Sequence, residues 1–156
     1  MKKIIWESLL DAEMNVKYWK GLTQRYLRRD KIMKIFVALT SSGTVAAWSI
    51  WSEYPAVWKV LSATAAIVAI LLPLLKYQKT IEITSKLSGK WWEVRNEYEQ
   101  QWIDFKNNED ISELRKRHSI TKQKEVPLVE REANIPEDKK LLTKCFDDVK
   151  IQYGIL

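Results

Sequence analysis

The sequence predicts an all-α membrane protein: a two-helix transmembrane hairpin set between an N-terminal amphipathic helix and a C-terminal cytoplasmic helical region. Three observations predict it. Of the 26 basic and 20 acidic residues in 156, only Lys34, Glu53 and Lys59 fall between Ile32 and Leu75. Outside that stretch, apolar residues recur in steps of three and four, the helical period. Four Gly and four Pro leave little room for glycine-rich phosphate loops or long linkers. Averaged over the chain, 46% hydrophobic and 29% charged residues describe an ordinary basic soluble protein, and the average hides the segregation.

The chain divides into residues 1–31, 32–76 and 77–156. In the first part Ile5, Leu9, Ala12, Val16, Trp19, Thr23 and Tyr26 form a helical stripe. It packs on another helix of this chain or a neighbour or, alternatively, lies on a lipid surface. Ile32 to Trp51 then makes 20 residues, which as a helix span about 30 Å, the thickness of a hydrocarbon core. Val57 to Leu75 makes the second span, and the short Ser52 to Ala56 connection forces the two to run antiparallel. A long charged segment precedes the first run and no cleavage site follows a short apolar core, so no signal peptide is expected. Lys and Arg flank the outer ends of both spans, whereas the tip has only nearby Lys59, whose stem snorkels; both termini are therefore expected to be cytoplasmic. Trp48, Trp51, Tyr54 and Trp58 gather at the tip, and Tyr26 and Tyr77 mark the opposite interface. The competing reading, a soluble protein with a buried apolar hairpin, needs larger flanking segments to cover it.

Within the spans, Thr40, Ser41, Ser42, Gly43 and Thr44 are the candidate pore-lining or helix-packing residues. Ala38, Ser42 and Ala46, like Ser62 with Ala66 and Ala65 with Ala69, have the small-residue spacing that lets helix backbones approach. Close packing is one reading; a polar path in an oligomer, lined by Thr40, Ser41 and Thr44, is the other. No ionisable residue sits at mid-span, which argues against a proton-coupled pump. Pro73 is the candidate hinge.

Beyond the hairpin, Leu87, Trp91, Val94, Tyr98, Trp102 and Phe105 form an apolar stripe read as core or as an oligomer seam, with an aromatic ligand site as the lesser alternative. Asn107 and Asn108 end this helix. A second runs from Asp110 to about Lys122 with Ile111 and Leu114 inward, and Val126-Pro127 breaks the pattern. Pro136 opens the last helix, whose face is Leu141, Leu142, Cys145, Phe146 and Val149, before Gly154. Glu97, Glu99 and Asp104 read as a solvated face.

Candidates for chemistry are few. One Cys and one His exclude an internal disulfide, a cysteine-rich zinc site and a histidine-clustered metal site. Gly89-Lys90 lacks the rest of a P-loop. Arg115, Arg117 and His118 are a candidate contact for phosphate or anionic lipid, or else a solvated face. No nucleophile, base and orienting group can be nominated, so neither an enzyme nor a cofactor is expected. Most of the net charge of +6 lies before residue 32, where it sets topology and meets anionic lipid; no nucleic-acid binding is expected.

The order of elements, the tryptophan helix bearing Trp91, Tyr98 and Trp102, and the closing Ile135-Pro136-Glu137-Asp138-Lys139-Lys140-Leu141-Leu142 resemble the small bacterial two-transmembrane effectors of the SLATT type. The resemblance implies a homo-oligomer in the bacterial inner membrane that forms a pore and disrupts the membrane in anti-phage defence. It also implies an association with a nucleotide second messenger or a defence-system partner protein. A membrane-anchored scaffold recruiting a cytoplasmic partner, and a phage holin, are the alternatives.

Overall fold

The computed structural model describes residues 1–41 and 55–155, and every regular element among them is an α-helix. The helices are α1 (Lys2–Ser41), α2 (Pro55–Leu74), α3 (Tyr77–Lys106), α4 (Ile111–Glu132) and α5 (Lys139–Tyr153). Ser42, Gly43 and Thr44, with Trp48, Trp51 and Tyr54, lie outside the described residues. The chain forms two units, one of Met1–Thr23 with Glu82–Leu156, the other of Gln24–Ile81.

The first unit is a four-helix bundle built from one stripe per helix. α1 buries Ile5, Leu9, Ala12, Trp19 and Leu22; α3 buries Leu87, Trp91, Val94 and Tyr98; α4 buries Leu114, Thr121 and Leu128 at intervals of seven; α5 buries Leu141, Cys145 and Val149. Each large apolar side chain so covered contributes about 1.5–3 kcal/mol. Gly21 lets α1 pass close to α5: a Cβ there would stand 3.2 Å from Leu141 Cδ1.

Local chemistry fixes the ends. α3 closes at Asn108, whose φ of 61° suits Asn. Asn108 N donates to Phe105 O and Glu109 N to Asp104 O, satisfying the last carbonyls. Asp110 caps α4, accepting from Ser112 N at 3.1 Å, and these bonds with Ser112 hold its carboxyl below the usual value. Asp138 caps α5 by accepting from Leu141 N at 3.0 Å, while its own N–H donates to the Tyr18 hydroxyl. The helix therefore starts after Asp138 and not at Pro136, because Asp at the N-cap satisfies a free N–H that Pro cannot. Gly154, at φ 63°, ends it in the same manner as Asn108.

Pro127 does not end α4, which continues to Glu132. The missing Pro127 N–H leaves Gln123 O without its helical partner. What carries the helix past it is tertiary: Leu128 is buried, and Glu132 accepts from two indoles.

The second unit holds the later part of α1, all of α2 and the first turn of α3. Buried Asp30 accepts from Lys34 Nζ at 2.7 Å and from Gln78 Nε2 at 3.0 Å, and the Tyr26 and Tyr77 rings lie 5.9 Å apart. On α2, Leu61, Ala65, Val68 and Leu72 form the more covered face, with Ala65 buried. Val60, Ile67, Ile70 and Leu74 are exposed, as are Ile32, Ile35 and Leu39 on α1. Among the described residues no single helix is long and apolar enough to cross a membrane; Lys59–Leu74 and Tyr77–Lys106 meet that test together, as a pair bent between them. The bend expected at Pro73 falls just beyond it. Pro73 lies inside α2, and the chain turns at Lys76, which takes a φ of 46°.

Candidate functional site

The bundle buries the polar side chains Ser8, Thr84, Gln101, Asp104 and Thr121, and the geometry of these and their neighbours decides what each sequence candidate does. At the end of α4 the half-buried Glu132 Oε1 accepts from Trp19 Nε1 at 2.8 Å and Trp91 Nε1 at 2.6 Å. Both indoles are buried, so neither N–H has ready access to water. Burial pushes the Glu132 carboxyl above the usual range against the pull of the two indoles, and the Glu125 charge adds to the rise.

Two turns toward the start of α4, the fully buried Tyr98 donates its hydroxyl to Glu125 at 2.5 Å. Burial and the adjacent carboxylate hold that phenol firmly protonated. His118 lies with its ring 5.3 Å from Tyr98 and its Nε2 3.2 Å from Ser8 Oγ. Burial lowers its pKa, Lys122 adds to the fall and Glu125 opposes it, so the imidazole is held neutral. Ser8 and His118 are a hydroxyl beside a base, but Ser8 is buried and closed to a substrate.

A third layer joins α3 to α4. Gln101 Nε2 donates to Thr121 Oγ1 and Thr121 Oγ1 to Glu97 Oε2, each at 2.9 Å; Lys124 closes on Glu97 at 2.5 Å. Arg117 pairs with Asp104 at 2.8 Å and with Glu109. Glu97 and Asp104 are thus interhelix partners and not a solvated face, while Glu99 binds Arg95. Gln101 Oε1 and Arg117 Nε are buried without a hydrogen-bond partner among the described residues.

The sequence candidates are redistributed by this arrangement. Leu87, Trp91, Val94 and Tyr98 are buried within one chain, and Trp102 and Phe105 are half-buried, so the expected oligomer seam is the chain's own core. Of the candidate anion contacts, Arg117 is matched by two carboxylates and His118 faces the core; only Arg115 is exposed. Thr40 Oγ1 donates to Phe36 O at 2.8 Å on its own helix. Ser41 ends α1, and the rest of that polar run lies outside the described residues.

Glu132, Glu125, Thr121 and Trp6 were not legible as site residues. The sevenfold spacing of Leu114, Thr121 and Leu128 was the available signal for Thr121. Trp6 meets Trp102 at 4.8 Å and Tyr153 edge-on at 5.3 Å, an aromatic cluster at one end of the bundle. Among the described residues no group of three His, Cys, Asp or Glu is placed to hold a metal ion. Comparison with protein families, curated proteins and solved structures finds no match for this chain.

Proposed function

We propose that the chain is a non-catalytic membrane effector that oligomerises into a gated pore in the bacterial inner membrane, in anti-phage defence, with both termini cytoplasmic. The observation that carries this reading is the division of α2 into three faces. Leu61, Ala65, Val68 and Leu72 are turned inward. Val60, Ile67, Ile70 and Leu74 are more than half exposed and call for lipid or another apolar cover. Between these lies an exposed strip of small residues, Ser62, Ala66 and Ala69, in steps of four and three. A small-residue strip permits close approach by a helix of another chain. One hairpin cannot enclose a water-filled path, so conduction needs several copies.

The test is flux of a small fluorescent dye from liposomes holding purified protein, read beside oligomer mass in detergent. Ala66→Phe should reduce both oligomer and flux. Monomeric protein, or oligomers that release no dye while cells expressing them still die, would overturn the pore. A membrane-anchored scaffold is the second reading, favoured by Trp92, which is 57% exposed on α3 beside the open surface at Gly89. Replacing residues 32–76 with an unrelated membrane anchor discriminates: retained function makes the hairpin a tether.

A further inference from the structure

Among the described residues, Lys76, Asn108 and Gly154 have a left-handed backbone, and Lys76 is out of character. Asn and Gly adopt that conformation readily; a lysine, at φ 46°, does not. A residue with a bulky side chain stays there only where its surroundings hold it, and such residues gather at segments that change shape. Lys76 sits in the two-residue link between α2 and α3. Helical bonding stops and resumes at once around it: Leu75 N donates to Leu71 O at 3.0 Å, and Thr80 N to Lys76 O at 3.2 Å. The end of α2 is further weakened by Pro73, which has no N–H for the Ala69 carbonyl.

What holds the turn comes from α1. Asp30 is only 7% exposed, and its Oδ2 accepts from Gln78 Nε2 at 3.0 Å as well as from Lys34 Nζ at 2.7 Å. Gln78 is the second residue of α3, so this bond ties α1 to the far side of the turn. The Tyr26 and Tyr77 rings, 5.9 Å apart, add a contact between the same two segments. A hydrogen bond to a charged acceptor and the cost of a left-handed lysine are of the same order. The bent turn is therefore near balance, and one contact can decide it. With Lys76 in the right-handed region, helical bonding runs on without a break from α2 into α3.

We propose that Asp30 is a latch: its bond to Gln78 keeps the link bent at Lys76, and loss of that bond lets α2 and the first turn of α3 join as one helix. As a gate the latch rests on the pore reading above. A membrane-disrupting pore has to stay shut until it is triggered, so the latched turn is the shut state and its release opens the conduit.

Pulsed electron paramagnetic resonance on the full-length protein in liposomes, with nitroxides attached at Lys31→Cys and Lys79→Cys, reads the latch. Both positions are exposed, and Cys145, 4% exposed, is shielded from the label. The parent should give one short distance. Gln78→Glu sets a carboxylate against Asp30 and should raise the share of a longer distance about tenfold. Gln78→Lys turns the bond into an ion pair and should keep the short distance. Gln78 is exposed, so neither change disturbs the core. Asp30→Ala should behave as Gln78→Glu does, and adding Lys76→Gly should shift it back about fivefold, because glycine takes the left-handed turn without steric cost. In the same liposomes dye release should rise with Gln78→Glu and fall with Gln78→Lys. Identical distances in the parent, Gln78→Glu and Gln78→Lys overturn the latch, as does Asp30→Ala without rescue by Lys76→Gly. Shifted distances with unaltered dye release overturn its role as a gate. Dye retained by the parent and by every variant sinks the pore reading instead, and the distances still decide the latch.

Discussion

Glu132 offers the sharpest test of the bundle, because one carboxylate oxygen serves two buried indoles from two other helices. Glu132→Ala removes both bonds and leaves two donors inside. A hydrogen bond to a charged group is worth about 1.5–3 kcal/mol, so the pair amounts to roughly 3–6. Releasing a desolvated carboxylate returns part of this, leaving a loss of about 2–4 kcal/mol. For a chain of this size that lowers Tm by roughly 5–15 °C, measured by circular dichroism. Glu132→Gln keeps an acceptor oxygen and sheds the charge, so it should stay within about 1 kcal/mol of the parent. A pH series separates the two effects. The folded-state pKa lies above the ordinary 4.5, so the protonated group favours folding in acid and that contribution is lost as pH rises through the raised value. The Tm of the parent minus that of Glu132→Gln should therefore fall as pH increases from 4.5. An alanine variant no less stable than the glutamine variant, or a difference that grows with pH, would refute the reasoning.

The two helical glycines of α1 and α3 should respond differently to the same change. Gly89→Ala meets open space and should stabilise by roughly 0.5–1 kcal/mol in thermal unfolding, whereas Gly21→Ala should gain less or lose, because its Cβ crowds Leu141 at 3.2 Å. Pro127→Ala restores an N–H to the interior of α4 and should raise stability by about 1–3 kcal/mol in the same assay. His118, whose folded pKa lies below 6.5, contributes stability that is present above that value and is lost as pH falls through the lowered one; His118→Gln should flatten that part of the Tm profile relative to the parent.

Much of the bundle is legible in the sequence, for a physical reason. Leu87, Trp91, Val94 and Tyr98, or Leu141, Cys145 and Val149, announce their helices because burial follows the 3.6-residue period whatever the partner is. Whether that partner belongs to the same chain is not encoded in the period, which is why the α3 stripe reads equally as a seam between chains. Pro127 misleads because the local cost is met by contacts far away in sequence, at Trp19 and Trp91. The basic run misleads differently. Arg115, Arg117 and His118 lie two and three positions apart, so a helix aims them in different directions; the fold gives one to solvent, one to Asp104 and one to Ser8. Asp104 and Glu97 look solvated until α4 brings Arg117 and Lys124 beside them.

The burial of Cys145 gives the unaltered protein a built-in clock. It is the chain's one thiol, and only 4% of it is exposed in the core of the bundle. A thiol in that position reacts with a maleimide only when α5 separates from its neighbours, so its alkylation rate, set against that of the unfolded chain, counts how often the bundle opens. Because the chain has no other cysteine to compete, the measurement on purified protein needs no substitution. An event that loosens or tightens the helices then registers as a change in labelling half-time.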